Sequence, residues 1–474
     1  IRVSLDRADA AVALQLPPVS SLPGEAALRH ALFRFQGEVA FVTERGAEAA
    51  GEAGEWLRRR GTVLWCARPR PDARTSAVAP RVSPREAAPY GELFRSATTQ
   101  QRLFAGWALV RDRRGAAGAD AVTTGRFEEN LRREVGTLLR ELRQRTYRPR
   151  PLRRVFIPKA NGELRALGIP AVRDRVAQAA AVLTLSPLFE ATFLDSSFGY
   201  RVGKNAHQAI ALLEGLRDDG LVHVVNADIR KCFDSIPHDR LFRRFDDAVA
   251  DPDLQRLVRT WVRVRASGER PDGEQATSGI PQGAPISPLL ANLYLHPLDV
   301  EMARQGIAWI RYADDTLCLV PSREEAERAL AVLRGFVEGE LGLQLKEEKS
   351  GLASFAEGFD FLGFHFRDRE KGIMRERCIE FRQKVLRIAT AQTPDRDGRI
   401  EKARETVAGF QAYFRTGDAL TTEQLTRLDA WGREVFVRFL RPTTRELARI
   451  GSLLDAPREA EPGRHDWYVP PIGN

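Results

Sequence analysis

The sequence predicts an α+β protein with a small α/β module ahead of the main body. Two observations carry that class. Over residues 222–367, short apolar runs rich in β-formers (222–229, 309–311 with 316–320, and 359–366) alternate with stretches of helical character. Within the same span, aspartates stand at the ends of these runs and in the turn between two of them, at Asp228, Asp314 and Asp315.

Taken in order along the chain, residues 1 to about 95 are rich in Ala, Gly, Arg and Pro. Strand-like segments at 38–43 and 62–66 flank a helix-like segment at 47–60, and the Pro- and Arg-rich stretch 67–89 reads as a linker. This unit carries no recognisable chemistry, so packing or partner docking is its expected role. Further on, Phe127, Leu131, Val135, Leu138, Leu139 and Leu142 recur at steps of three and four, the stripe of one amphipathic helix. In residues 146–170, apolar β-formers flank Asn161-Gly162, the signature of a hairpin. From Arg126 to Arg165 there are twelve Lys or Arg against five Asp or Glu. A basic run is usually a solvated helix face. Here it continues into the hairpin, a distribution that suits a nucleic-acid phosphate backbone.

The 474 residues hold 73 Lys plus Arg and 64 Asp plus Glu, a net charge of +9, with 43% hydrophobic and 29% charged residues. That balance fits a globular chain with a polyanionic partner and excludes a disordered one. No run of eighteen apolar residues is present, which excludes a helical membrane span. Four well-separated cysteines, Cys66, Cys232, Cys318 and Cys378, argue against a disulfide framework or zinc site and for a reducing, cytoplasmic setting. The first ten residues show no signal-peptide pattern, and the start at Ile1 is compatible with a piece of a longer protein.

Asp228 ends a buried apolar run, where a carboxylate is costly unless paired or metal-bound. Asp314 and Asp315 lie between two apolar runs, at the tip of an expected hairpin. Taken alone, an Asp-Asp pair in a turn is more often turn chemistry. Adjacent carboxylates nevertheless repel, and hard divalent cations relieve that repulsion through oxygen ligands. Three aspartates from two segments suit two ions roughly 3.5–4 Å apart, as in phosphoryl-transfer sites.

These segments are part of a longer ordered set, and the chain resembles a reverse transcriptase of the group II intron-encoded type. The blocks that carry the resemblance are GAAGADAVT (115–123), VFIPKANGELRALGIP (155–170), SFGYRVGKNAHQAI (197–210), NADIRKCFDSIPHDRL, SGIPQGAPISPLLANLYLHPLD, RYADDTLCLV, LGLQLKEEKS and EGFDFLGFHF, together spanning about 94–366. VAGFQAYFRTGDAL (407–420) resembles the family's thumb block.

The resemblance implies a right-hand polymerase. Fingers would span 91–221, a palm of antiparallel sheet and helices 222–370, and a helical thumb 371–455. The module at 1–90 and a tail at 456–474 would flank them. It implies that Asp228, Asp314 and Asp315, with the Ile229 carbonyl, hold two Mg²⁺ ions for which Mn²⁺ can substitute. Lys159 and Arg165 match residues that clamp the incoming triphosphate, and Lys349 matches a lysine that protonates the leaving group. Phe233, five positions after Asp228, matches an aromatic lying under the sugar, where it excludes a 2′-hydroxyl and selects dNTPs. Gln282 and Gly283 match nucleotide- and template-contacting positions, Tyr312 one beside the primer end, and Asn205 to His207 a template-contacting segment.

The implied partners are an RNA template and a DNA or RNA primer. The family's DNA-binding and His/Cys-rich endonuclease regions have no visible counterpart after Pro442, and residues 1–95 have no counterpart in the family pattern. This favours a host-adopted enzyme in CRISPR spacer acquisition or antiphage defence, with an integrase or defence protein docked on the module. An RNA-binding maturase or scaffold of an intron is the alternative.

Overall fold

The computed structural model describes residues 2–5, 12–15, 92–113, 115–158, 164–267, 276–393 and 395–446. The strands and helix expected at 38–66 and the linker at 67–89 lie outside the described residues. At the N-terminus β1 (Arg2–Leu5) and β2 (Val12–Gln15) form an antiparallel pair, with Arg2 opposite Gln15.

The main body starts with α1 (Glu92–Ala97) and α2 (Gln100–Asp112). Next come α3 (Thr124–Glu129) and α4 (Leu131–Arg143). The single amphipathic helix expected across 127–142 is therefore two. Asn130, at φ −119° and ψ 24°, leaves the helical region and breaks it. The apolar stripe survives the break, because Phe127, Val135, Leu138 and Leu142 are all buried in one core.

The expected hairpin is present as β3 (Arg153–Pro158) and β4 (Leu164–Ile169), antiparallel with Ile157 opposite Arg165. Its 159–163 turn, including Asn161-Gly162, lies outside the described residues. After it, α5 (Val172–Glu190) is buried around most of its circumference and forms the spine of the helical layer. Gly106 of α2 allows that packing, since a Cβ there would meet the Val176 carbonyl at 2.7 Å.

α6 (Ala206–Asp218) leads into β5 (His223–Asp228), followed by α7 (Cys232–Ser235), α8 (His238–Ala248) and α9 (Pro252–Val262). A long buried helix, α10 (Ser287–Arg304), then precedes β6 (Ala308–Tyr312), β7 (Asp315–Val320) and α11 (Arg323–Gly335). β8 (Gly351–Ser354) completes a four-stranded antiparallel sheet in the order β6-β7-β5-β8.

This sheet divides two cores. Val225, Ala227, Trp309, Cys318 and Val320 pack into the helical layer of α1–α5 and α8–α11. Val224, Ile310, Leu317 and Leu319 point the other way, into a second core. Both faces are covered, which is why these strands read as nearly unbroken apolar runs rather than alternating ones.

The second core is closed by β9 (Phe359–Phe361), β10 (Phe364–Arg367) and β11 (Glu370–Ile373), with α12 (Arg375–Thr390), α13 (Arg396–Phe414) and α14 (Ala419–Leu440). The apolar run 359–366 is thus a hairpin and not one strand. It reverses at Leu362 and Gly363, whose φ values of 49° and 84° suit a tight turn. The whole is an α+β, right-hand polymerase architecture. Among the described residues, no helix is long and apolar enough to cross a membrane.

Candidate active site

The register of the four-stranded sheet builds the site. β5 and β7 pair so that Asp228 lies directly opposite Asp315, and β6 and β7 pair Tyr312 with Asp315. Asp314 occupies the turn between β6 and β7. Directly opposed residues of an antiparallel pair project to the same face, so two carboxylates from distant segments meet with a third beside them. Like charges so placed destabilise the ends of the two central strands. The Asp314 carboxyl shows the cost: burial pushes its pKa up, the Asp228 charge adds to that, and Arg165 and Arg311 pull it back. Cys232, buried behind the acids, has its thiol pushed up by burial and then by Asp314.

The turn rests on a buried polar foundation. Arg311 and Asp299 are both fully buried and joined by two hydrogen bonds of 2.7 and 2.6 Å. Burial alone would raise the Asp299 carboxyl, but the Arg311 charge, with hydrogen bonds from Arg311 and Trp309, holds it down at about 2. The same guanidinium donates to the Asn292 Oδ1 at 2.9 Å and to the Ala313 carbonyl at 3.0 Å. Ala313 has a left-handed backbone, φ 61°. A non-glycine residue stays in that region only where its surroundings over-determine it. Here the Arg311 contact and the close approach of Gly199, where a Cβ would collide with the Ala313 backbone, provide that constraint.

Other residues singled out in the sequence gather at this centre. Ile229 follows Asp228 and bridges Leu345, and the Asp228 carbonyl accepts from the Lys346 nitrogen at 2.8 Å. Phe233, half-buried on α7, sets its ring edge-on to Tyr200 with centroids 6.2 Å apart. The Gln282 carboxamide donates to the Asp234 Oδ1 at 2.9 Å. The Gln282 backbone carbonyl accepts from the Gly168 backbone nitrogen of β4 at 2.9 Å, which ties the β3–β4 hairpin to the loop before α10. Gly283, at φ 107°, adopts a backbone that favours glycine, and a Cβ there would crowd the Gly168 carbonyl at 3.1 Å. Arg165, exposed on β4, reaches the acids electrostatically.

The remaining expected residues are Lys159, Lys349 and Asn205 to His207. Lys159 lies outside the described residues. Lys349 ends a short 3₁₀ turn, Glu347–Lys349, and its side chain lies outside the described part. The lysine placed at Asp228 is Lys346, with Nζ 3.8 Å from Oδ2. Asn205 caps α6 in a reciprocal box with Gln208, and the His207 ring packs 5.3 Å from that of Tyr413. Lys346, Tyr200, Asn292 and Arg311 are the site residues that motif reading passed over. Lys346 has a legible signal, its position in the LQLK stretch that bridges the strand end at Ile229.

Among the described residues, no group of three or more His, Cys, Asp or Glu side chains is gathered tightly enough to hold a metal ion by itself. The donor set nonetheless fits hard cations. It consists of carboxylates with a local excess of negative charge, and Mg²⁺ completes its shell with water and substrate phosphate oxygens rather than with an all-protein cage.

Comparison with known proteins gives the family. The family pattern described as reverse transcriptase (RNA-dependent DNA polymerase) matches residues 157–366. The chain therefore belongs to the reverse transcriptases, RNA-directed DNA polymerases. Within them it is a group II intron-like bacterial member. Protein YkfC of Escherichia coli (strain K12) is 32% identical over 286 residues, which cover 52% of this chain and 74% of that protein. Group II intron-encoded protein LtrA of Lactococcus lactis subsp. cremoris is 25% identical over 321 residues, 54% of this chain and 53% of LtrA. The chain thus spans about half the length of LtrA. Among solved structures, a partial Cas6-RT-Cas1–Cas2 complex matches with 22% identity and a TM-score of 0.33, over 52% of this chain and 43% of that one.

Proposed function

We propose that this chain extends a primer 3′-hydroxyl with dNTPs on an RNA template, with Asp228, Asp314 and Asp315 as the catalytic acids. The observation that carries the reading is the register that sets Asp228 against Asp315 with Asp314 in the adjoining turn. These carboxylates and the Ile229 carbonyl would hold two Mg²⁺ ions, with Mn²⁺ as a substitute. When bound, the ions activate the primer hydroxyl and neutralise charge on the departing pyrophosphate.

The chain's own residues do the rest. Arg165, on the strand tied to the Gln282-Gly283 loop, faces the acids from the fingers side and offers a forked guanidinium to the triphosphate. Lys159, in the adjoining turn, is assigned the same task. Phe233 closes the sugar side, where a phenyl ring offers a 2′-hydroxyl neither space nor a hydrogen bond. Tyr312 lies along the primer end. Lys346 sits close enough to Asp228 to share with Lys349 the candidacy for leaving-group protonation.

The division into fingers 91–221, palm 222–370 and thumb 371–455 belongs to the same proposal. So does a cytoplasmic host role in CRISPR spacer acquisition or phage defence, with a protein partner on residues 1–90. Primer extension on an RNA template tests the reading. The unmodified chain is expected to incorporate dNTPs and reject rNTPs, and Phe233→Ala is expected to admit rNTPs. RNA binding without any incorporation would favour a maturase or scaffold instead. Unchanged sugar selectivity in Phe233→Ala would refute the assignment of that residue.

A further inference from the structure

The segment before α6 carries a feature that the catalytic reading above does not use. Tyr200 is 57% exposed yet has a left-handed backbone, φ 61°. That conformation is sterically costly for a non-glycine residue. Its neighbours hold it there from both sides. The Phe198 nitrogen donates to the Arg311 carbonyl at 2.8 Å, and the Gly199 carbonyl accepts from the Asn292 carboxamide at 2.8 Å. Gly199 is pressed against the Ala313 backbone too tightly for any side chain. On the other side, Arg201 is tied to Glu190 at 2.8 Å and to the Ser197 carbonyl at 2.7 Å.

The Tyr200 ring is thereby fixed to the same foundation as the Asp314 turn. It stands edge-on to Phe233, centroids 6.2 Å apart. Its hydroxyl is raised first by burial and then by the Asp314 charge, while Arg165 acts in the opposite direction. The ring therefore lies beside the Phe233 ring, within electrostatic reach of Asp314 and Arg165. A large, half-exposed ring at a strained and pinned position contributes little to the core. What it does offer is a rigid wall to a ligand entering beside it.

We propose that Tyr200 is a specificity-determining residue of the nucleotide pocket, buttressing the Phe233 ring and packing against the deoxyribose of the incoming dNTP. This deepens the polymerase reading above and rests on it. Removing the Tyr200 ring lets Phe233 tilt, which loosens the grip on the sugar and opens space for a 2′-hydroxyl.

The test is steady-state primer extension by the full chain with Tyr200→Gly and Tyr200→Phe, using each dNTP and its rNTP counterpart, with template binding and thermal melting measured alongside. Tyr200→Gly removes the ring at a position whose backbone suits glycine, so it is not expected to fail through strain. Its KM for dNTP should rise roughly 10-fold, as expected from losing about 1.4 kcal/mol of binding. Its kcat should fall less, and its preference for dNTP over rNTP should drop. Tyr200→Phe keeps the ring and should restore both values. A Tyr200→Gly protein that melts normally and keeps the parental KM and sugar preference would overturn the inference while leaving the polymerase reading standing. Failure of the unmodified chain to extend any primer would overturn both.

Discussion

The Asp314 turn and the β3–β4 hairpin both present charged groups to one centre, but they are built in opposite ways. The turn is carried by strands covered on both faces and is anchored by the fully buried Arg311–Asp299 pair. The hairpin leaves Phe156, Ile157 and Leu164 exposed at 55%, 46% and 60%, and among the described residues β4 is tied to the 282–283 loop through the Gly168 amide. The acids are thus held by packing and by a desolvated ion pair, whereas Arg165 is held by a ribbon whose far end is exposed on both faces. The comparison teaches a division of support: the acids are embedded between two cores, and Arg165 stands on an exposed arm.

Breaking the embedded side should have the largest effect. Arg311→Ala leaves Asp299 as an uncompensated buried charge and frees the Ala313 carbonyl. It should cost about 3–5 kcal/mol of stability, read as a fall in the denaturation midpoint. Arg311→Lys should recover only part of this, since a single ammonium cannot reproduce the two bonds to Asp299 together with those to Asn292 and Ala313. A parental midpoint in Arg311→Ala would mean that the pair is not the anchor.

Changing the arm should sharpen the contrast. Arg165→Ala should leave the denaturation midpoint within about 0.5 kcal/mol of the parent, as for exposed positions. It should raise KM for dNTP by roughly 10–100-fold, the worth of one or two hydrogen bonds to charged groups. Loss of stability without a change in KM would place Arg165 in the fold rather than at the substrate.

The smallest effect lies in α14. Burial pushes Asp429 of α14 up to about 6, with Arg433 and Arg415 opposing it. A carboxyl raised in the folded state binds its proton more tightly there than in the unfolded chain, so its contribution to stability is lost as pH rises from about 4 towards 6. Asp429→Asn should flatten the melting temperature over that window. An unchanged slope would show that Asp429 is not the group responsible.

The legibility of the molecule from its sequence follows the same contrast. Strands β5, β6 and β7 can be read because both their faces are buried, leaving continuous apolar runs, and the acids can be read because they interrupt those runs. The β9–β10 reversal is harder, since apolar residues continue across it. Its signal is a change of parity: Phe359 and Phe361 are followed by Phe364 and Phe366, which one strand would send to opposite faces, whereas all four are buried in one core. The Asn130 break lies within an unbroken apolar stripe and is set by local backbone geometry. Tyr200 and Arg311 take their places through long-range contacts, so no local pattern marks them. Asp299 reads as an ordinary helix-surface acid until α10 is packed against β6.

The most direct measurement of the central claim is primer extension by Asp314→Asn, with RNA-template affinity and melting temperature measured on the same protein. The account predicts extension reduced below detection, template affinity unchanged, and a melting temperature equal to or above that of the parent, because the substitution removes a carboxylate that burial and Asp228 both disfavour. An Asp314→Asn protein that still extends primers at the parental rate would contradict it.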